Sequence, residues 1–326
     1  MAKSSNQKLK LLYLKDILEN ESDEKHTLSV NYLKQRLLNY GISAERKAVY
    51  SDIEELRLYG LDIICERTRS NEYYIGERHF ELAELKMLVD AVQASKFLTE
   101  KKSEQLIKKL YSLCSKHEAT QLNRNVINYR RIKNQNEAIY YAVDEIHNAI
   151  NNDNTISFKY YQYVGNKQRE FKKGGEKYYV SPVTLVWDDE NYYLIGYDNE
   201  AGYIKHFRVD KITDIAAENI PRIGEEAISK IDLAEYSKKV FSMFAGEEKD
   251  VRLEFDGGFC GVIIDRFGSD VMIVPEGDKF CINVKVEISP QFFGWLTSLS
   301  GNVRISAPQD VKDMYKEHLN AVMQGL

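Results

Sequence analysis

Paired cysteines are missing from this chain of 326 residues. Cys65, Cys114, Cys260 and Cys281 are scattered, with neither the close spacing of a zinc knuckle nor the density of a disulfide framework. Unpaired thiols fit a reducing compartment, so a cytoplasmic location is the expectation. No apolar run reaches the roughly 20 residues that cross a bilayer, so no membrane partner is expected. The opening stretch, MAKSSNQKLKLLYLKDILENE, lacks the apolar centre of a secretion signal. His79, His117 and His147 have no acidic or cysteine neighbours at metal-ligand spacing, so neither a metal nor a cofactor is expected. A charge excess is missing too: the net charge is −5 and the pI about 5.8, which does not by itself point to nucleic acid. Residues 1–75 balance 12 Lys+Arg against 12 Asp+Glu, so any contact with DNA there relies on where the cations stand. What remains is ordinary soluble composition, 43% apolar and 29% charged, in a chain long enough for two or three domains.

Aromatic and cationic residues are concentrated between Lys177 and Arg208, in KYYVSPVTLVWDDENYYLIGYDNEAGYIKHFR. Strand alternation puts Phe207 and Val209 on one side and His206 and Arg208 on the other. An earlier strand sets Ile156, Phe158 and Tyr160 against Ser157, Lys159, Tyr161 and Tyr163. On one small curled sheet, Lys159, Tyr161, Tyr179, Ser181, His206 and Arg208 would converge on a polar, aromatic-walled surface. That surface suits an anionic ligand with a flat ring. The same pattern also fits strand-forming tyrosines with wet hydroxyls.

The run YYVSPVTLVWDDENYYLIGY, followed by HFRVDKI, resembles the WYL domain of bacterial transcriptional regulators, a small Sm-like β-barrel. Ser181-Pro182, Leu185-Val186-Trp187 and His206-Phe207-Arg208-Val209-Asp210 match its pattern. In the triplet that names the family, Tyr193 and Leu194 match, and Tyr192 stands in place of Trp. The resemblance implies a ligand pocket on Tyr179, Ser181, Tyr193, His206 and Arg208.

Residues 1–78 read as three helices and a hairpin. Leu9, Leu12, Tyr13 and Ile17 mark the first helix, and Val30 to Tyr40 the second, closed by Gly41. Ser43 reads as the cap of a third helix that ends before Gly60. Val49, Ile53 and Leu56 face inward on it, with Arg46, Lys47, Tyr50 and Ser51 on or beside the outward face of its first half. LDIICERTRSNEYYI then reads as a two-stranded wing carrying Arg67 and Arg69. This is the pattern of a winged helix-turn-helix, with those six polar residues as DNA contacts. A three-helix domain for protein contact fits the pattern as well. GISAERKAVYSDIEELRLYGLDI resembles the winged domains that precede WYL domains, with Ser51 where many members carry Arg.

Residues 79–151 read as a helical connector, with Leu106, Leu110, Leu113 and Cys114 as an apolar stripe. Residues 152–220 form the barrel, and 221–246 a linker ending in a helix. Residues 247–326 alternate strand, helix, strand, strand, helix, strand, which suggests a ferredoxin-like α+β unit and resembles the extension that accompanies WYL domains. The expected whole is a multidomain α+β regulator, homodimeric, that binds double-stranded operator DNA and responds to a nucleotide, oligonucleotide or other anionic effector. A second class stays open, a single-stranded nucleic-acid binding or processing protein using the barrel as its main site. An enzyme is not expected, because His206 has no paired carboxylate or metal set.

Overall fold

The computed structural model of the protein describes residues 7–67, 70–122, 133–134, 136–165, 167–188, 190–229, 241 and 246–325. They fall into two compact α+β units divided between residues 135 and 136. Among the described residues no helix is long and apolar enough to cross a membrane.

In the first unit, helices α1 (Lys10–Glu21), α2 (Val30–Asn39) and α3 (Arg46–Leu58) enclose Leu14, Ile17, Leu18, Leu33, Leu37, Val49 and Ile53. Burying each such side chain stabilises the fold by roughly 1.5–3 kcal/mol. On α3 the inward residues are the expected Val49, Ile53 and Leu56. On α1 only Ile17 of the expected set is buried: Leu9 and Leu12 are exposed, and Leu14 and Leu18 are buried beside Ile17. Lys10 of α1 pairs with Asp52 of α3 at 2.8 Å. The α3 cap also differs from expectation. Fully buried Ile42 holds the chain out of helix past Ser43, so Glu45 takes the cap position. Gly41 and Gly60, with φ of 73° and 112°, turn the chain away from α2 and α3 through a region that side chains avoid.

Strands β1 (Leu28–Ser29), β2 (Ile63–Arg67) and β3 (Asn71–Ile75) form an antiparallel sheet in the order β1-β3-β2. Helices α4 (Leu82–Ala94), α5 (Glu100–Tyr111) and α6 (Lys116–Leu122) follow, with a small core of Leu85, Cys114 and Leu122. Of the expected stripe only Cys114 is buried; Ile107 is buried in its place, and Leu113 is exposed.

Helix α6 is joined to the end of α1 by polar groups. The buried Glu21 carboxylate accepts from Tyr32 (2.6 Å), Arg36 (2.8 Å) and Lys116 (3.1 Å). Asp23 accepts from Ser115 (2.6 Å) and pairs with His26 (2.7 Å). The His26 and His117 rings stack at 3.7 Å, so His117 packs at this junction. Burial pushes both carboxyls up, but the hydrogen bonds outweigh it and hold each below its ordinary range.

The second unit begins with α7 (Ile139–Asn151), a helix that falls within the connector expected over residues 79–151. Its apolar face, Ile139, Ala142, Ile146 and Ala149, is buried. Its Glu145 accepts from the backbone of Ala217 at 2.8 Å. The helix packs on the sheet that follows it. That curled sheet contains β4 (Asn154–Tyr163), β5 (Arg169–Phe171), β6 (Tyr178–Asp188), β7 (Asn191–Asp198), β8 (Tyr203–Arg208) and β9 (Ile212–Pro221). Their order is β5-β4-β6-β7-β8, with β9 also paired to β4. Phe158 and Phe207 meet edge-on at 5.1 Å inside it, beside Tyr178. Gly196 sits opposite Pro182, where an added Cβ would lie 2.4 Å from Val180, so strand approach there requires glycine.

After α8 (Glu225–Ser229), the helix expected to end the linker lies outside the described residues except for Phe241, which packs on Phe292 and Trp295. Then come β10 (Glu247–Asp256), α9 (Cys260–Phe267), β11 (Ile273–Glu276), β12 (Lys279–Ile288), α10 (Pro290–Ser298), β13 (Val303–Ala307) and α11 (Gln309–Gln324). The strands are antiparallel in the order β11-β12-β10-β13, over a core that includes Phe255, Ile282 and Phe292.

Candidate functional site

Two groups of residues carry chemistry, one in each unit. In the first, α3 presents Arg46, Lys47 and Ser51 exposed and Tyr50 half-buried. Arg46 donates to the Tyr50 hydroxyl at 3.0 Å, its guanidinium 5.8 Å from the ring centre, and Tyr73 braces Tyr50 at 6.4 Å. Tyr50, Ser51 and Arg67 line one cleft of about 440 Å³ between α3 and the β2–β3 hairpin. Arg57 and Tyr73 also line it, and neither was singled out from the sequence. Arg57 is committed, donating to Glu54 (2.7 Å) and to the Ile63 carbonyl (2.8 Å). Arg69 lies outside the described residues.

In the second unit, strand register places Tyr193 opposite Arg208, and Ser181 opposite Tyr197. Tyr193 and Tyr197 stand four residues apart on β7, about 13 Å along a strand. The residues expected on one surface therefore form two groups.

Around Ser181 the groups are structural. Its buried hydroxyl donates to Asn199 (2.8 Å) and accepts from the Ile223 backbone (2.9 Å), which ties down the chain after β9. Tyr179, opposite Ser157, is 45% exposed. Lys159, expected in the pocket, instead pairs with Asp214 of β9 at 3.2 Å. His206 stands opposite the buried Ile195.

The Arg208 group is polar and internally matched. Arg208 grips Asp210 with two bonds of 3.0 and 2.9 Å and donates to Asn191 at 2.9 Å. Burial acts against its charge, but Asp210 more than offsets this and raises its pKa. The backbone N–H of Arg208 donates to Tyr160, whose phenol burial pushes up to about 12. Tyr161, expected on the open side with Ser157 and Lys159, is 2% exposed. The curl of β4 and the β5 hairpin cover it: Arg169 lies 4.5 Å over its ring, and Tyr163 meets it edge-on. Its hydroxyl donates to the Asp210 carbonyl at 3.0 Å. Burial first, then the bond with Tyr163, raises the Tyr161 phenol to about 12, while the same bond lowers that of Tyr163. Tyr192, in the place of the family's Trp, packs edge-on against Trp187 at 4.7 Å.

Among the described residues Glu254, Glu276 and Cys281 also bring possible metal ligands within 4.8 Å of one another. Lys279 and Arg252 already neutralise the two carboxylates, at 2.6 and 2.5 Å.

The stretch from α7 to β9 is a WYL domain: residues 141–217 match the family model of that description. No curated protein sequence matches the chain. Among solved structures, proteasome accessory factor B/C (PafBC) of Arthrobacter aurescens aligns over 96% of this chain and 48% of its own, with 17% identity and a TM-score of 0.28. The chain thus spans about half the length of that protein. A CRISPR Cas-related protein aligns over 75% of this chain and 81% of its own, with 10% identity and a TM-score of 0.34.

Proposed function

We propose that this chain is a cytoplasmic transcriptional regulator that binds double-stranded DNA through residues 1–78 and receives an anionic effector at its WYL domain. The observation that carries the reading is the exposure of Ser51 and Arg67 around one cleft between α3 and the hairpin beside it, with Lys47 exposed on the same helix, in a chain that also holds a WYL domain. In this reading residues 1–78 are a winged helix-turn-helix. The first half of α3 meets base edges, and the β2–β3 hairpin meets phosphate. Arg46 steadies Tyr50 for that contact. A reader and a receiving domain in one chain are what linkage between effector and operator requires.

The C-terminal unit, with helices after its first and third strands, supports a ferredoxin-like assignment. We assign it, with the connector, to homodimer contacts, so the operator is a pseudo-palindrome. The role is binding rather than turnover, since Arg208 and Tyr161 are both committed to Asp210.

The test is fluorescence anisotropy of the full chain on double-stranded promoter fragments, with light scattering at the same concentrations. Saturable, salt-dependent binding by a dimer is expected. A monomer with no affinity for duplex DNA at low salt defeats the reading.

A further inference from the structure

The end of β4 carries, around Tyr161, a set of groups that neither the family pattern nor the expected pocket includes. Tyr161 pairs in register with Phe171, and Tyr163 with Arg169, so these four share one face of the β4–β5 hairpin. Tyr163 and Phe171 are 58% and 39% exposed, an aromatic surface above the buried Tyr161 ring. Lys172 follows Phe171 directly. From the neighbouring strand, Ile212 pairs with Tyr160, which brings Lys211 to the same end of β4. Lys211 lies within electrostatic reach of Arg208, Lys172 and Tyr163.

The charges here differ from those nearby. Arg208 has Asp210, Lys159 has Asp214 and Lys205 has Asp198. Among the described residues Lys172 forms no ion pair with a carboxylate, and the carboxylate that attracts Lys211, Asp210, is already gripped by Arg208. Half-burying Lys211 beside other cations costs stability unless an anion joins them; burial, then the Arg208 charge, lowers its pKa.

We propose that Arg169, Lys172 and Lys211 hold the phosphate of a nucleotide unit whose base stacks on Tyr163 and Phe171. This rests on the reading of the WYL domain as the effector-receiving part and moves the anion contact away from Arg208. Exposed aromatic faces beside several cations are the chemistry that recognises a base with its phosphate, whether in a free nucleotide or in a single strand.

The test uses the full chain and two probes, a fluorescent mononucleotide and a labelled eight-nucleotide single strand, read by anisotropy across a salt series. The double variant Lys172→Ala, Lys211→Ala is expected to weaken binding about tenfold or more and to flatten the salt slope on the strand by roughly 0.7, for one lost single-strand phosphate contact. Tyr163→Ala is expected to cost about tenfold and Tyr163→Phe little, because the ring does the stacking. Melting temperatures of the lysine variants should equal or exceed that of the parent, since repulsion is relieved; a lower value would mark a structural role and overturn the proposal. Binding of the mononucleotide as tightly as the strand identifies a free nucleotide as the source, and preference for the strand identifies nucleic acid. If the parent binds either probe and the lysine and Tyr163 variants bind equally well, while Tyr179→Ala or His206→Ala does not, this site is wrong and the effector reading stands. If the parent binds neither probe, this site is overturned; the reading as a whole fails only if duplex DNA is not bound either.

Discussion

The two units put their cations to opposite uses. On α3, Lys47 stands exposed and Arg46 spends one donor on Tyr50, leaving most of its guanidinium facing outward. On the curled sheet, the arginine that the sequence makes most conspicuous, Arg208, is gripped by Asp210 and Asn191 and holds the turn after β8 in place. The lesson is about strands. A polar residue on a helix flank faces water over a wide arc, whereas on a sheet the groups of adjacent strands stand side by side and meet one another first.

The comparison breaks most visibly at the junction between α1 and α6. Glu21→Ala leaves Arg36, Lys116 and Tyr32 without their shared acceptor, and we expect a loss of about 2–3 kcal/mol in the first unit. Urea titration followed by circular dichroism measures it, and an unchanged midpoint would show the network to be idle. Arg208→Ala is expected to cost about 1.5–3 kcal/mol in the second unit, because Asp210 loses a two-point partner while half-buried. If binding of the nucleotide or single-strand probe falls but the melting temperature does not, Arg208 is a ligand group after all and the contrast fails.

Acid sharpens the contrast by a smaller amount. Glu21 and Asp23 have folded pKa values below their unfolded ones, so the unfolded chain binds protons more readily. The stability they contribute is complete above the unfolded carboxylate range and is lost as pH falls through that range to the lowered folded values. Melting curves at pH 7, 5 and 3 should show the drop concentrated at the acid end in the parent and reduced in Glu21→Gln. A drop of equal size in both would assign the effect to other carboxylates. The smallest effect expected is on DNA: Lys47→Ala should change sequence preference, with the salt slope and the melting temperature nearly unchanged. Equal loss on every sequence would move Lys47 from base to phosphate contact.

Much of the fold is legible in the sequence where periodicity and punctuation agree. Val49, Ile53 and Leu56 with Gly60 mark α3, and the strand alternation around Phe207 marks β8. The first helix shows the limit: more than one apolar set fits its period, and Leu14, Ile17 and Leu18 are the ones that pack with residues of α2 and α3, contacts the periodicity of α1 alone does not name. α7 was placed with the connector because nothing in a helix names the surface it packs on. The candidate site was less legible. Tyr161 and Ser181 obey strand alternation and still end up buried, since the β5 hairpin covers one and the chain after β9 covers the other. Lys172 and Lys211 lie outside the aromatic run that drew attention, and their proximity follows only from the pairing of Tyr160 with Ile212.

The bond between Asp23 and Ser115 spans 92 positions and crosses the boundary drawn after residue 78 from sequence. A fragment cut at that boundary would keep Glu21 and Asp23 but discard Lys116 and Ser115, leaving two nearly buried carboxylates short of donors. The smallest fragment that keeps this junction whole therefore ends after Leu122. In hydrogen exchange, the amides of residues 21–26 and 115–122 should open together, as one cooperative unit made from two distant pieces of sequence.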